Sequence, residues 1–233
     1  MSNLSFSQIF RLNQEDRDGW FKAKVESHIK PGMNVLDVGA GTAPYKSLFE
    51  KCRYIAHDFG EYKGIKLGET TEYTDIDIKS DITDIPLPQS CIDLVLCTEV
   101  LEHVPNPIDA MKEIFRVLKP DSCAIITAPF TSGSHQRPYH FYAGFSPEWY
   151  LFVAKSIGLE ILELTPHGGF FRLMAQEFGR VANSLTQFGS TPVQTETLLH
   201  VANQMYALDP IIKNYDFSIG YHVVYKKPNQ AIL

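Results

Sequence analysis

The segment Val35-Leu36-Asp37-Val38-Gly39-Ala40-Gly41-Thr42-Ala43-Pro44-Tyr45 constrains this chain more than any other. An apolar run of strand type empties into two glycines, so the backbone turns sharply and lets a ligand approach closely. The spacing predicts a strand over residues 34–38 and a short helix over residues 45–51, whose first N–H groups would meet that ligand. Strand, glycine turn and helix start together open an α/β fold. Asp37, two residues before Gly39, narrows the ligand. A dinucleotide loop offers amides to a pyrophosphate, which a carboxylate at the strand end would repel, whereas a cationic ligand tolerates it. The third glycine of a G-x-G-x-x-G loop would fall on Pro44, which also counts against a nicotinamide enzyme.

Downstream, strand-type runs alternate with helical ones. Strands are predicted over residues 54–57 (ending at Asp58), 76–78, 91–97, 123–128 and 159–164. A helix over residues 107–118 follows from Ile108, Met111, Ile114, Phe115 and Leu118, with Pro107 suited to its first turn; another spans residues 147–157, stopped by Gly158. After Gly169 the rhythm changes. Phe170, Met174, Phe178, Val181 and Leu185 recur at helical spacing, a second helical stretch covers residues 196–208, and residues 217–225 read as a last strand. The expected fold is α/β and Rossmann-like, a seven-stranded, mostly parallel sheet with helices on both faces. Residues 1–233 are expected to form a single domain. Residues 1–30 are a helical extension, with a helix over residues 15–29 against the sheet edge, and residues 169–210 are a helical insertion or cap before the last strand.

Composition sets the class of partner. The 233 residues are 44% hydrophobic and 21% charged, with a net charge of −6, which suits a soluble globular chain and makes nucleic acid an unlikely partner. No apolar run reaches the roughly 18–20 residues of a membrane span, so no transmembrane segment is expected. The first 25 residues carry Arg11, Glu15, Asp16, Arg17 and Asp18 and lack the apolar core of a signal peptide, so a cytoplasmic location is expected. The four cysteines, Cys52, Cys91, Cys97 and Cys123, form no C-x-x-C pair. They read as thiols, mostly buried, and not as a zinc site.

In this setting the chain resembles the class I S-adenosylmethionine-dependent methyltransferases of the type 11-like kind. Asp37-Val38-Gly39-Ala40-Gly41 resembles their first motif, with Ala43 in place of its last glycine. Asp58 ends the second predicted strand seventeen positions after Gly41. Ser80-Asp81-Ile82, Cys97-Thr98-Glu99-Val100-Leu101-Glu102-His103 and Phe115-Arg116-Val117-Leu118-Lys119-Pro120 resemble further segments of the family, in register over residues 33–130. The resemblance implies S-adenosyl-L-methionine as cofactor and S-adenosyl-L-homocysteine as product. Asp37, Gly39, Ala40 and Gly41 would hold the methionine end, Asp58 with Phe59 the ribose, and Asp81 with Ile82 the adenine. Thr98, Glu99 and His103 would line the near wall. The acceptor would be a small molecule, with a sugar or lipid-linked precursor as the candidate class. A rival reading is a non-catalytic protein of the same fold that binds another chain.

The loop after the fifth strand carries His135, Tyr139 and His140, candidates for orienting the acceptor or taking its proton, since an imidazole titrates near neutral pH. It resembles a His-x-x-Pro-Tyr-Asp segment of many methyltransferases, with His140 where the Asp often stands and Ala143 where an Arg often stands. The alternative is an ordered lid with no proton transfer. Glu99 and His103, at i and i+4, could simply pair. Glu99, Glu102 and His103 hint at a metal, but no further ligand is apparent in the sequence and no metal is assigned. Gly168-Gly169 could be a hinge or a turn into a core helix, and the insertion could make a homodimer.

Overall fold

The computed structural model describes residues 4–62, 65–66, 69–70, 76–187, 189, 191–211 and 216–229. Its main sheet has seven strands: β1 Asn34–Val38, β2 Arg53–Asp58, β3 Ile78–Lys79, β4 Ile92–Thr98, β5 Leu118–Pro129, β6 Glu160–His167 and β7 Gly220–Lys226. They lie in the order β3-β2-β1-β4-β5-β7-β6. From β3 to β5 neighbouring strands run parallel. β7 runs antiparallel to β5. Lys227 N–H donates to the Ser122 carbonyl (2.9 Å) and the Lys227 carbonyl accepts from Asp121 N–H (2.8 Å), while at the far end Tyr221 stacks edge-on against Phe130. The sheet is therefore the expected seven-stranded α/β sheet, with one reversed strand. Its order changes direction between β1 and β4, which opens a crevice at the carboxyl ends of those strands. A two-stranded hairpin, Ile65–Lys66 with Glu69–Thr70, stands apart from it.

The helices are α1 Phe6–His28, α2 Pro107–Val117, α3 Pro147–Ile157, α4 Phe170–Gln187 and α5 Pro192–Leu208. α2 and α3 follow the predicted apolar spacing. Ala110, Met111, Ile114 and Val117 of α2 are fully buried in the same cluster as Leu36, Val38, Val95 and Ile126 of the sheet. Each such large aliphatic side chain contributes about 1.5–3 kcal/mol by leaving water. The Ser146 hydroxyl caps α3 by accepting from Trp149 N–H (3.3 Å), and Gly158 closes it in the left-handed conformation.

Three elements depart from the sequence reading. α1 begins at Phe6 instead of residue 15, because Ser5 and Gln8 satisfy one another's polar groups at its start. β5 starts at Leu118, ahead of a bulge that carries Pro120 and lets Lys119 reach Asp93 (2.7 Å). The helix expected over residues 45–51 is a single 3₁₀ turn, Lys46–Phe49. Ala43 is left-handed (φ 51°) and Pro44 supplies no N–H, so few residues remain for a helix before β2 begins.

The chain forms two compact units, residues 1–21 with 166–220, and residues 22–165 with 221–233. In the first, α4 and α5 meet the start of α1 through Ile9, Ala175 and Ala202, all fully buried. Asn13 donates to Gln176 (2.9 Å) and Asn203 brackets the backbone of Leu4. Residues 188 and 190, within the predicted insertion, and residues 1–3 lie outside the described residues. Among the described residues no helix is long and apolar enough to cross a membrane.

Candidate functional site

The loop between β1 and β2 is fastened from beneath. The His57 carbonyl accepts from both Gly39 N–H (2.8 Å) and Ala40 N–H (2.9 Å). The Asp58 carboxylate accepts from Gly41 N–H (3.0 Å) on one oxygen and from Gly60 N–H (2.8 Å) on the other. Asp58 is buried at 6% exposure, beside Phe59, which is half open and edge-on to Tyr139 with ring centroids 5.0 Å apart. Gly39 has no substitute. Its φ is +71°, and a Cβ there would lie 2.4 Å from the Val100 side chain. Space for a Cβ at Gly41 is open to 4 Å. Ala43 keeps the left-handed conformation that a glycine would take without strain.

Asp37 is buried at the end of β1 and accepts a hydrogen bond from the Tyr54 hydroxyl. Burial pushes its pKa up to about 7, opposed by the Tyr54 bond and helped by nearby Asp58. Tyr54 was not singled out from the sequence. Its partner emerges from the parallel register, which sets Val35 opposite Tyr54 and Asp37 opposite Ala56, so Asp37 and Tyr54 share a face.

Asp81 and Ile82 follow β3. Asp81 is exposed, and its Oδ1 accepts from the Thr83 N–H and hydroxyl (2.8 Å each), a local turn. Ile82 is buried. The segment is clamped to α2: Arg116 donates to the carbonyls of Ile85 (2.9 Å) and Leu87 (2.8 Å), and Glu113 accepts from Ile85 N–H (2.8 Å).

Beyond β4, Thr98 ends the strand and Glu99 sits at φ 55°, where its carboxylate accepts from the Thr127 hydroxyl (2.8 Å). A left-handed glutamate costs on the order of 1–2 kcal/mol, the kind of strain that collects at functional sites. The i, i+4 helix that would pair Glu99 with His103 does not form, since residues 101–103 make one 3₁₀ turn. The carboxylate that meets His103 is that of Glu102, 3.5 Å from its Nε2. Glu102 was named in the sequence only in passing; its burial, at 1% exposure, is a tertiary fact.

The loop from Phe130 to Gly144 closes on itself. Phe145 N–H donates to the Pro129 carbonyl (2.8 Å), and a Cβ on Gly144 would lie 2.3 Å from the Phe130 backbone. Its tip is tied to the 3₁₀ turn, where the Glu102 carbonyl accepts from Phe141 N–H (2.9 Å) and Tyr142 N–H (3.2 Å). Three imidazoles gather as a result. Ring centroids are 4.9 Å apart for His103 and His135, 4.5 Å for His135 and His140, and 5.9 Å for His103 and His140. His103 Nδ1 meets the Tyr139 carbonyl at 2.7 Å. Burial lowers the His103 pKa to about 4, against that bond and together with His135 and His140, so its ring is neutral near pH 7. The sequence marked no metal ligands; the structure brings His135 to Glu102 and His103.

Residues 36–126 match the family of the methyltransferase domain. Over 103 residues the chain is 32% identical to cycloartenol-C-24-methyltransferase 1 of Oryza sativa subsp. japonica, covering 41% of this chain and 30% of that protein. Over 123 residues it is 31% identical to demethylmenaquinone methyltransferase of Staphylococcus carnosus, covering 49% of this chain and 51% of that protein. The chain thus spans from three tenths to about half the length of these relatives. A solved protein of Galdieria sulphuraria, provisionally named a sarcosine dimethylglycine methyltransferase, superposes with a TM-score of 0.58 at 16% identity, covering 92% of this chain and 85% of that one. At that identity the likeness speaks for the fold.

Proposed function

The chain carries a class I S-adenosylmethionine-dependent methyltransferase domain, a family whose cofactor is S-adenosylmethionine, and on that premise we propose that the protein methylates a small-molecule acceptor. One observation carries the reading: the buried Asp58 carboxylate binds the glycine loop at Gly41, where the space a side chain would fill is open. The residues present suit the cofactor. Asp37 with Gly39, Ala40 and Gly41 would take the methionine end, Asp58 and Phe59 the ribose, and Asp81 and Ile82 the adenine, with Thr98, Glu99 and His103 along the wall. Each oxygen of Asp58 already accepts one N–H and retains capacity for a ribose hydroxyl. When bound, the cofactor supplies an electrophilic methyl group on a sulfonium.

On the acceptor side, His135, Tyr139 and His140 would orient the nucleophile or take its proton. In-line positioning alone can supply much of the rate. The relatives' names give cycloartenol and demethylmenaquinone as substrates of those proteins. Together with the net charge of −6 they favour an uncharged or lipid-like small molecule, a lipid-linked precursor included, over a nucleic acid. The test is transfer from methyl-labelled cofactor into a fractionated cell extract. Label is expected in the small-molecule fraction; label confined to RNA or protein would overturn the acceptor class.

A further inference from the structure

Among the described residues, one ligand atom each from Glu102, His103 and His135 lie within 4.8 Å of one another. Hydrogen bonding fixes the donor nitrogen of both rings. His103 Nδ1 faces the Tyr139 carbonyl at 2.7 Å and His135 Nδ1 faces the Gly133 carbonyl at 2.9 Å. A carbonyl only accepts, so each Nδ1 carries a proton, and each ring in its neutral form presents its lone pair on Nε2. His103 Nε2 is buried with no hydrogen-bond partner, yet the Glu102 carboxylate stands 3.5 Å away. Two acceptors thus face each other inside the protein, an arrangement that is costly unless a cation or a proton lies between them. A histidine whose far nitrogen donates to a backbone carbonyl is also the usual support of a metal-bound imidazole.

We propose that Glu102, His103 and His135 form a binding site for one divalent first-row transition-metal ion. Two imidazoles and one carboxylate suit such an ion far better than calcium or magnesium, which favour all-oxygen ligand sets. Zinc at about 2.0–2.2 Å from its ligands holds them roughly 3.4 Å apart, so binding draws the three groups slightly inward. The loop carrying His135 closes that distance, tethered as it is by Phe141 and Tyr142 to the Glu102 carbonyl. Three protein ligands leave a position open. Its use rests on the methyl-transfer reading: it would hold an oxygen of the acceptor and take His135 out of the set of candidate bases, leaving Tyr139 and His140.

The experiment uses full-length, untagged protein stripped with a chelator and titrated with Co²⁺, read by calorimetry and by visible d–d absorption. S-adenosylhomocysteine is titrated in parallel. One Co²⁺ per chain is expected, displaced by Zn²⁺. Affinity should fall at least about tenfold in Glu102→Gln and in His135→Ala, both retaining S-adenosylhomocysteine binding. His135 lies in a partly exposed loop, so its variant reports even if Glu102→Gln does not fold. A wild-type protein that binds S-adenosylhomocysteine but takes up no Co²⁺, or an affinity unchanged in His135→Ala, overturns the site. Co²⁺ uptake without S-adenosylhomocysteine binding would leave the site standing and overturn the methyl-transfer reading.

Discussion

Asp37, proposed to hold the methionine end of the cofactor, occupies its place at the expense of stability. Its carboxylate lies at 2% exposure and its folded pKa, about 7, stands above the ordinary 3.8. The folded state therefore holds the proton more tightly than the unfolded chain. That linkage stabilises the fold fully below about pH 4 and is lost as pH rises through about 7. Asp37→Asn should raise stability at pH 8 by on the order of 4 kcal/mol and change it little at pH 4, while weakening S-adenosylhomocysteine binding. Urea unfolding at the two pH values decides this; equal effects at both would contradict it. Asp58→Ala should cost about 1.5–3 kcal/mol of S-adenosylhomocysteine binding, as hydrogen bonds to a charged group are lost. Unchanged affinity in that variant would remove the ribose assignment. Asp37, Gly39 and Asp58 were legible because each sits at a fixed offset from a strand end. Tyr54 and Glu102 were not, because strand register and burial single them out and neither is local.

At the level of elements, the sheet and α2 follow from period and punctuation, and α1 and the turn after Gly41 do not. A polar stretch inside α1 (Asn13, Gln14, Glu15, Asp16) hides the helical spacing of Phe6, Ile9 and Phe10 ahead of it. The 3₁₀ turn at Lys46–Phe49 has too little chain between Pro44 and β2 to grow. The clamp between α2 and the segment after β3 is likewise invisible in sequence, since Arg116 reaches back some 29–31 residues to Leu87 and Ile85. Removing it with Arg116→Ala should cost about 1–2 kcal/mol, a hydrogen-bonded ion pair at a partly exposed site. Hydrogen exchange should rise at Ile85 and Leu87 ahead of α2. Exchange rising evenly over the whole sheet would contradict a local clamp.

For the molecule as a whole, the sequence motifs converge on residues 22–165, within one of its two compact units. The order β3-β2-β1-β4-β5-β7-β6 sets the Asp37 loop, Asp58, Glu99 and the histidine-bearing loop at strand ends along one edge of the sheet. That convergence is why motifs spread over a hundred residues could be read together. The gathering of His103, His135 and His140 could not, because it depends on a loop that closes through Phe145 N–H and Gly144. The central claim is that this edge binds S-adenosylmethionine. Calorimetric titration of the purified protein with S-adenosylhomocysteine, with NAD as control, tests it directly. The account predicts saturable one-site binding of S-adenosylhomocysteine and none of NAD; a folded protein that binds NAD, or that leaves S-adenosylhomocysteine unbound, would contradict it.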